Sequence, residues 1–352
     1  MPKPVLFDGH NDTLTDIFQP EGDGTRSFFE RSDQGQLDLP RARASGLAGG
    51  VFAIYTAGAK EEPFERKKLK RGGYEVPYAA AVDPGTARTF TAAVLDFAEA
   101  IEAQSGGQVA ITRTAAALAA QLEGGVFSMV LGIEGAAAIA PDLRNLPYYY
   151  ERGVRVINPV WSRPNAFGFG VPFRYPSSPD TGPGLTAAGR ELVAACNELG
   201  IVVDLAHLNK KGFWQVAGQS TAPLVCSHTA VHTICPMSRN LTDDQIKAIG
   251  ESGGLIGLYY MPAGIRPDGK DNRDTPLAAI VEHVNFIVDL AGIDHVALGS
   301  DFDGAPMPYG LADAAALPHL FQMLAKAGYD EADLAKIGYK NWLRVLRETW
   351  RA

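Results

Sequence analysis

The chain has 352 residues, 46% hydrophobic and 20% charged, enough for a large buried core and ordinary for a globular α/β protein. A net charge of −8 argues against nucleic acid, because a phosphate backbone calls for clustered Lys and Arg. Three cysteines exclude a disulfide framework and fit a reducing compartment, and no run of about 18 apolar residues predicts a membrane span, so a cytoplasmic protein without targeting segments is expected.

In chain order, apolar runs predict strands at Val5–His10, Gly49–Tyr55, Ser128–Glu134, Arg155–Trp161, Ile201–His207, Leu224–His228, Leu255–Tyr260 and His295–Asp301. Helical patterns lie between them. Gly184–Gly200 has Thr186 as a cap, Leu241–Ser252 opens on Thr242-Asp243-Asp244, and Thr275–Gly292 follows. Eight strands alternating with helices fit an α/β fold, a (β/α)8 TIM barrel, better than an open doubly wound sheet. No repeat or linker divides the chain, so residues 1–352 are expected to form one domain.

Two rim insertions interrupt the pattern, near 57–80 and 162–184. The first carries Arg66, Lys67, Lys68, Lys70 and Arg71 and reads as a solvated charged segment. The second is rich in Pro, Gly and aromatics and reads as a lid or pocket wall. Its Gly168-x-Gly170 lacks the third glycine of a dinucleotide fingerprint.

Polar residues cluster where the strands end. His10 and Asp12 sit at alternate positions, so both would face one side, as a cation grip or as a hydrogen-bonded strand end. Glu134 closes Met129-Val130-Leu131-Gly132-Ile133, where a buried carboxylate needs a partner, either an arginine or metal. His207 and His228 end successive strands. Asp301 and Asp303 follow the last one, with Asp301 predicted to face inward and Asp303 to brace the loop. His, Asp and Glu at one rim suit a divalent ion that activates water, so the chain reads as a metal-dependent hydrolase. His232, His283, His295 and His319 miss the strand ends and are assigned to packing or solvent. Cys226 is read as a core residue.

Taken in order, His10-Asn11-Asp12, Gly132-Ile133-Glu134-Gly135, Asp204-Leu205-Ala206-His207, Ser227-His228, Arg239-Asn240-Leu241-Thr242-Asp243 and Gly299-Ser300-Asp301-Phe302-Asp303-Gly304 resemble the renal (membrane) dipeptidase family. These are zinc-dependent M19 peptidases of the amidohydrolase superfamily. The resemblance implies a metal-dependent hydrolase barrel with two zinc ions per chain, often a homodimer. By its pattern His10 and Asp12 bind the first ion, His207 and His228 bind the second, and Glu134 bridges them. Asp301 is implied as a first-ion ligand that also moves the proton, and Arg239 as the clamp on the substrate carboxylate. Tyr260 falls at a pocket position.

One position departs from the pattern. Members resembling the mammalian enzyme carry a histidine after the Gly-Val-Arg strand, and here Trp161 falls at or next to that place. Indole donates one hydrogen bond but cannot take a proton. Asn165, further on, keeps a family-like polar group for the substrate.

The reaction implied is hydrolysis of a short dipeptide, L-Xaa-D-Xaa among the candidates, by a hydroxide bridging the two ions. Opening of carbapenem-type β-lactams is a side activity known among relatives. An alternative keeps the two zinc ions but acts on N-acyl amino acids, cyclic amides or lactams. A further alternative is a non-catalytic barrel, against which the full set of ligands stands.

Overall fold

The computed structural model of the chain describes residues 4–18, 26–57, 67–69 and 72–351. All eight predicted strands occur: β1 (Leu6–Asn11), β2 (Leu47–Tyr55), β3 (Phe127–Glu134), β4 (Val154–Asn158), β5 (Val202–Val203), β6 (Val225–Thr229), β7 (Leu255–Leu258) and β8 (Val296–Leu298). The fold is α/β. One parallel sheet runs β1-β2-β3-β4-β5, with the short strand Val109–Ile111 also paired to β3. A second parallel sheet runs β6-β7-β8. The continuous eight-stranded ladder of the sequence reading is therefore two sheets here. Single parallel bridges, Asp204 with Val225 and Asn11 with Phe302, lie between them.

The sheets divide where the chain turns early. β5 stops at Val203, short of the predicted His207, because Asp204 Oδ1 accepts the Ala206 N–H at 3.0 Å and His207 adopts a left-handed φ of 68°. β8 stops at Leu298, and Asp301 takes φ 64°. Gly257 and Gly299 sit so close to the Ser227 carbonyl oxygen that a Cβ on either would overlap it, so these strands approach only through glycine.

Alternation along the strands separates core from site. One buried cluster takes a side chain from every strand: Phe7, Val51, Val130, Val156, Val202, Val225, Leu255 and Ala297. Partners in register, Val51 with Val130 and Val202 with Val156, share a face. In β3 that face continues from Val130 through Gly132 to Glu134, so the apolar core runs directly into a carboxylate at the strand tip. Trp342, from helix Asn341–Thr349, is fully buried in the same cluster, and its indole N–H donates to the Leu298 carbonyl at 3.0 Å.

The helices follow their capping signals. Helix Ala187–Leu199 starts at Thr186, whose hydroxyl accepts the Gly189 N–H at 3.1 Å, and ends on Gly200 with φ 73°. Asp243–Glu251 starts after Thr242, whose N–H donates to Gln245 Oε1 at 2.9 Å. Ala278–Ala291 begins three residues later than the predicted Thr275, without a side-chain cap. No helix among the described residues is long and apolar enough to cross a membrane.

The two rim insertions meet. Arg174–Tyr175 pairs antiparallel with Tyr74–Glu75, which pairs in turn with Lys67–Lys68. The Tyr74 and Tyr175 rings stack at 6.0 Å, and Tyr78 donates its hydroxyl to the Gly170 carbonyl at 2.5 Å. Lys67 and Lys68 are exposed; Arg66, Lys70 and Arg71 of the basic run lie outside the described residues.

Candidate metal centre

Six side chains from five strand ends meet at one rim. His10 belongs to β1 with Asp12 just past it, Glu134 ends β3, His207 follows β5, His228 lies in β6 and Asp301 follows β8. Glu134 Oε1 is the focus. It lies 2.8 Å from His207 Nε2, 3.4 Å from His228 Nε2 and 3.7 Å from His10 Nε2. Asp12 Oδ2 is 3.6 Å from His10 Nε2, and the His207 and His228 Nε2 atoms are 3.0 Å apart. Three overlapping groups each bring donor atoms within 4.8 Å of one another: His10, Asp12 and Glu134; Glu134, His207 and His228; His10, His228 and Asp301.

The electrostatics of this cluster are those of a site short of positive charge. Asp8, Asp12 and Glu134 are buried, and Asp301 is nearly so. Burial raises Glu134 to about 8, with the Asp12 and Asp301 charges adding and His10 and Arg239 opposing. Burial likewise raises Asp301 to about 6. Burial alone would lower His10, but the charges of Glu134, Asp12 and Asp301 outweigh it and lift His10 to about 10. His207 and His228 are pushed well down, first by burial and then by the Arg239 and His10 charges. Buried carboxylates crowded in this way are costly unless a cation joins them.

The donor set fits such a cation. His10 Nε2 is buried without a hydrogen-bond partner among the described residues. Two zinc–nitrogen bonds of about 2.0–2.1 Å at a tetrahedral angle separate their nitrogens by roughly 3.3 Å, close to the His207–His228 spacing. The set is imidazole and carboxylate without thiolate, and burial holds the Cys226 thiol well above its ordinary range.

Backbone strain gathers at the same rim. Among the described residues only Leu143, His207, Asp301 and Asp303 combine a positive φ with a side chain. Three of these four lie at the centre or next to it, and such conformations persist where a site requires them. Asp303 spends its carboxylate on the loop, accepting from Thr13 Oγ1 at 2.7 Å and Arg26 Nη2 at 2.9 Å.

A cavity of about 730 Å³ opens on the cluster. Arg239, buried at the wall, donates through Nη2 to the His228 carbonyl at 2.9 Å. Trp161 also lines the cavity, with its ring 5.7 Å from that of His207 and 5.0 Å from that of Tyr55. Phe173 completes this aromatic wall, 5.8 Å from Trp161.

Two expected substrate contacts do not face the cavity. Asn165 turns its amide onto backbone: Nδ2 donates to the Pro159 carbonyl at 2.8 Å, and Oδ1 accepts from the Phe167 and Gly168 N–H groups. Tyr260 is fully buried against Phe302, and the neighbouring Tyr259 lines the cavity instead. The sequence reading also passed over Tyr55, Phe173, Asp16 and Asp271 in the lining, and the hydroxyls of Ser162 and Ser227 beside the imidazoles. Only Phe173 had a signal, the aromatic density of its insertion. Of the remaining histidines, His283 is a buried clip, accepting the Val231 N–H at 3.0 Å and reaching the Ile265 carbonyl at 3.0 Å.

Parallel strands that deliver imidazoles and carboxylates to a common rim define the class of metal-dependent hydrolases. The sequence profile of membrane dipeptidase, peptidase family M19, matches residues 1–352, and the chain belongs to that family, whose members are metallo-dipeptidases. A metallo peptidase of Rhodobacter sphaeroides, solved with a phosphinate mimic of the dipeptide L-Ala-D-Ala, is 39% identical; the match covers 99% of this chain and 100% of that one with a TM-score of 0.93. The dipeptidase aclJ of Aspergillus oryzae is 30% identical over 347 residues, 97% of this chain and 77% of that protein. An uncharacterized Klebsiella pneumoniae protein from the pqqA 5′ region is 45% identical over 249 residues, 71% of this chain and 92% of that protein.

Proposed function

We propose that this chain is a two-zinc dipeptidase whose preferred substrates include L-Xaa-D-Xaa dipeptides. The observation that carries the reading is the convergence of His10, His207 and His228 on one carboxylate oxygen, Glu134 Oε1, with Asp12 and Asp301 joined to the same imidazoles in overlapping groups. The L-Ala-D-Ala mimic bound by the 39% identical R. sphaeroides protein supports the substrate class. The framework is read as one closed (β/α)8 barrel and a single domain. The core cluster drawn from all eight strands and the two bridges between the sheets support that. A homodimer is the expected assembly, and the cytoplasm the expected location.

His10 and Asp12 would hold one zinc ion, His207 and His228 the other, with Glu134 between them and Asp301 on the first. Zinc there would supply a water acidic enough to ionise near neutral pH and would polarise the scissile carbonyl. Asp301 accepts the proton of the attacking water and passes it to the leaving amine, acting as base and then as acid. Arg239 takes the C-terminal carboxylate of the substrate through its guanidinium fork, which limits the enzyme to substrates whose second residue is the last. Trp161, Tyr55 and Phe173 close one side of the cavity against water and give an apolar surface to a substrate side chain.

A panel of L,L-, L,D- and D,D-dipeptides beside N-acetyl amino acids, assayed with zinc, tests the reading. Turnover of dipeptides with a free C-terminus is expected. Turnover of N-acetyl amino acids alone would replace it with the acylase reading that Trp161 keeps open.

A further inference from the structure

Each imidazole of the cluster rests its second ring nitrogen on a hydroxyl. Ser162 Oγ lies 2.8 Å from His207 Nδ1. Ser227 Oγ serves two rings, lying 2.8 Å from His228 Nδ1 and 3.4 Å from His10 Nδ1. Those two rings lie with centroids 3.6 Å apart, tilted by 32°. The Ser227 hydroxyl also bonds Asp204 Oδ2, and Asp204 Oδ1 accepts the N–H groups of Ala206 at 3.0 Å and Ser227 at 2.8 Å. Both Asp204 and Ser227 are fully buried.

Proton counting fixes the direction of these bonds. A carboxylate accepts and cannot donate, so the single Ser227 proton goes to Asp204. The two lone pairs left on Oγ can then only accept, one from each Nδ1–H. A ring that donates from Nδ1 can bind a cation only through Nε2, and Nε2 is the atom each ring turns toward Glu134.

We propose that Ser227, oriented by Asp204, is a positioning residue that holds His10 and His228 in the Nδ1–H tautomer, so that one buried hydroxyl readies a ligand in each of two ion sites. The inference rests on the two-zinc reading above. It adds a residue outside the ligand set that couples the sites through β1 and β6. The backbone carrying Ser227 is held in place by Gly257 and Gly299, which pack against its carbonyl with no room for a Cβ. Ser162 touches His207 alone, so the two serines differ in reach.

Zinc competition titration of the full-length wild type, Ser227→Ala and Ser162→Ala, with thermal melting of the metal-free proteins as control, tests this. Loss of such outer partners costs roughly 10–100-fold in metal affinity. Ser227→Ala is expected to weaken both zinc steps to that extent, and Ser162→Ala only one. Wild-type affinity in Ser227→Ala overturns the proposal while leaving the two-zinc reading intact. A wild type that binds no zinc overturns both. A second measurement needs no variant: nitrogen-15 NMR of the zinc-loaded, histidine-labelled wild type. Protonated Nδ1 on His10 and His228 is expected, and an unprotonated Nδ1 on either overturns the assignment even if Ser227→Ala fails to fold.

Discussion

Arg26 Nη2 lies 2.9 Å from Asp303 Oδ2, joining side chains 277 positions apart in the sequence. The same guanidinium bonds Asp16 at 2.6 Å and the Leu37 carbonyl at 2.7 Å. It therefore straps the loop after β8, which carries Asp301, to the chain after β1, which carries Asp12. The pair is out of water, with side-chain exposures of 3% and 0%. Removing one member of a buried pair strands the other charge, at about 3–5 kcal/mol. Arg26→Met is expected to lower stability by about that amount in urea unfolding, and to lower activity through a loosened Asp301 loop. Unchanged unfolding would show that Asp16 and Asp303 tolerate its loss.

Part of the site was legible in the sequence and part, like this strap between residues 277 positions apart, was not. A strand that must bury apolar residues up to its tip, as β3 does from Phe127 to Ile133, makes the carboxylate that follows conspicuous. His10, His207 and His228 stand out for the same reason. Asp301 stands out from Asp303 because it lies nearer the strand end, whereas alternation alone would put both on one face. What alternation could not reveal is where a strand ends. β7 stops at Leu258, and this decides that Tyr259, not Tyr260, lines the cavity. Nor could alternation show that the Asn165 amide turns to its own backbone, here the Phe167 and Gly168 N–H groups, as a short amide readily does. Ser227 was invisible for a different reason. Its meaning depends on Asp204, 23 positions away, and on His10, 217 positions away.

The proton-transfer role proposed for Asp301 has a direct consequence. Asp301→Asn keeps the shape and an oxygen donor but can no longer take a proton. Turnover is expected to fall by about 10²–10⁴-fold, the usual worth of general acid–base catalysis. Metal analysis should still find two ions per chain, because His10, Asp12, Glu134, His207 and His228 remain. Rates near wild type would remove Asp301 from the proton path.

Arg239 lines the cavity and is proposed to bind the substrate carboxylate, and Arg239→Met separates that role from a structural one. The substitution removes a charge-assisted pair worth about 1.5–3 kcal/mol, so KM for free dipeptides should rise roughly 10–100-fold. For C-terminally amidated dipeptides, which offer no carboxylate, the change should be small. Equal losses on both substrates would mean that the bond from Nη2 to the His228 carbonyl, not substrate binding, is what Arg239 supplies.

His283 gives the fold a pH dependence that is separable from the metal centre. Burial is the main influence on it and lowers its pKa from 6.5 to about 4, while its bond to the Ile265 carbonyl opposes this. Between those values the unfolded chain binds a proton at His283 that the folded chain refuses. Stability supplied by the neutral ring is thus complete above pH 6.5 and is lost as the pH falls toward 4, by roughly 3 kcal/mol across the window. The clip from Val231 to Ile265 should weaken accordingly. Comparing urea unfolding of wild type and His283→Gln at pH 7 and pH 5 isolates this residue, because the contributions of His10, His207 and His228 are common to both proteins. His283→Gln should be less stable than wild type at pH 7, and the gap should narrow at pH 5. A gap of constant size would mean that His283 keeps its ordinary titration in the folded chain.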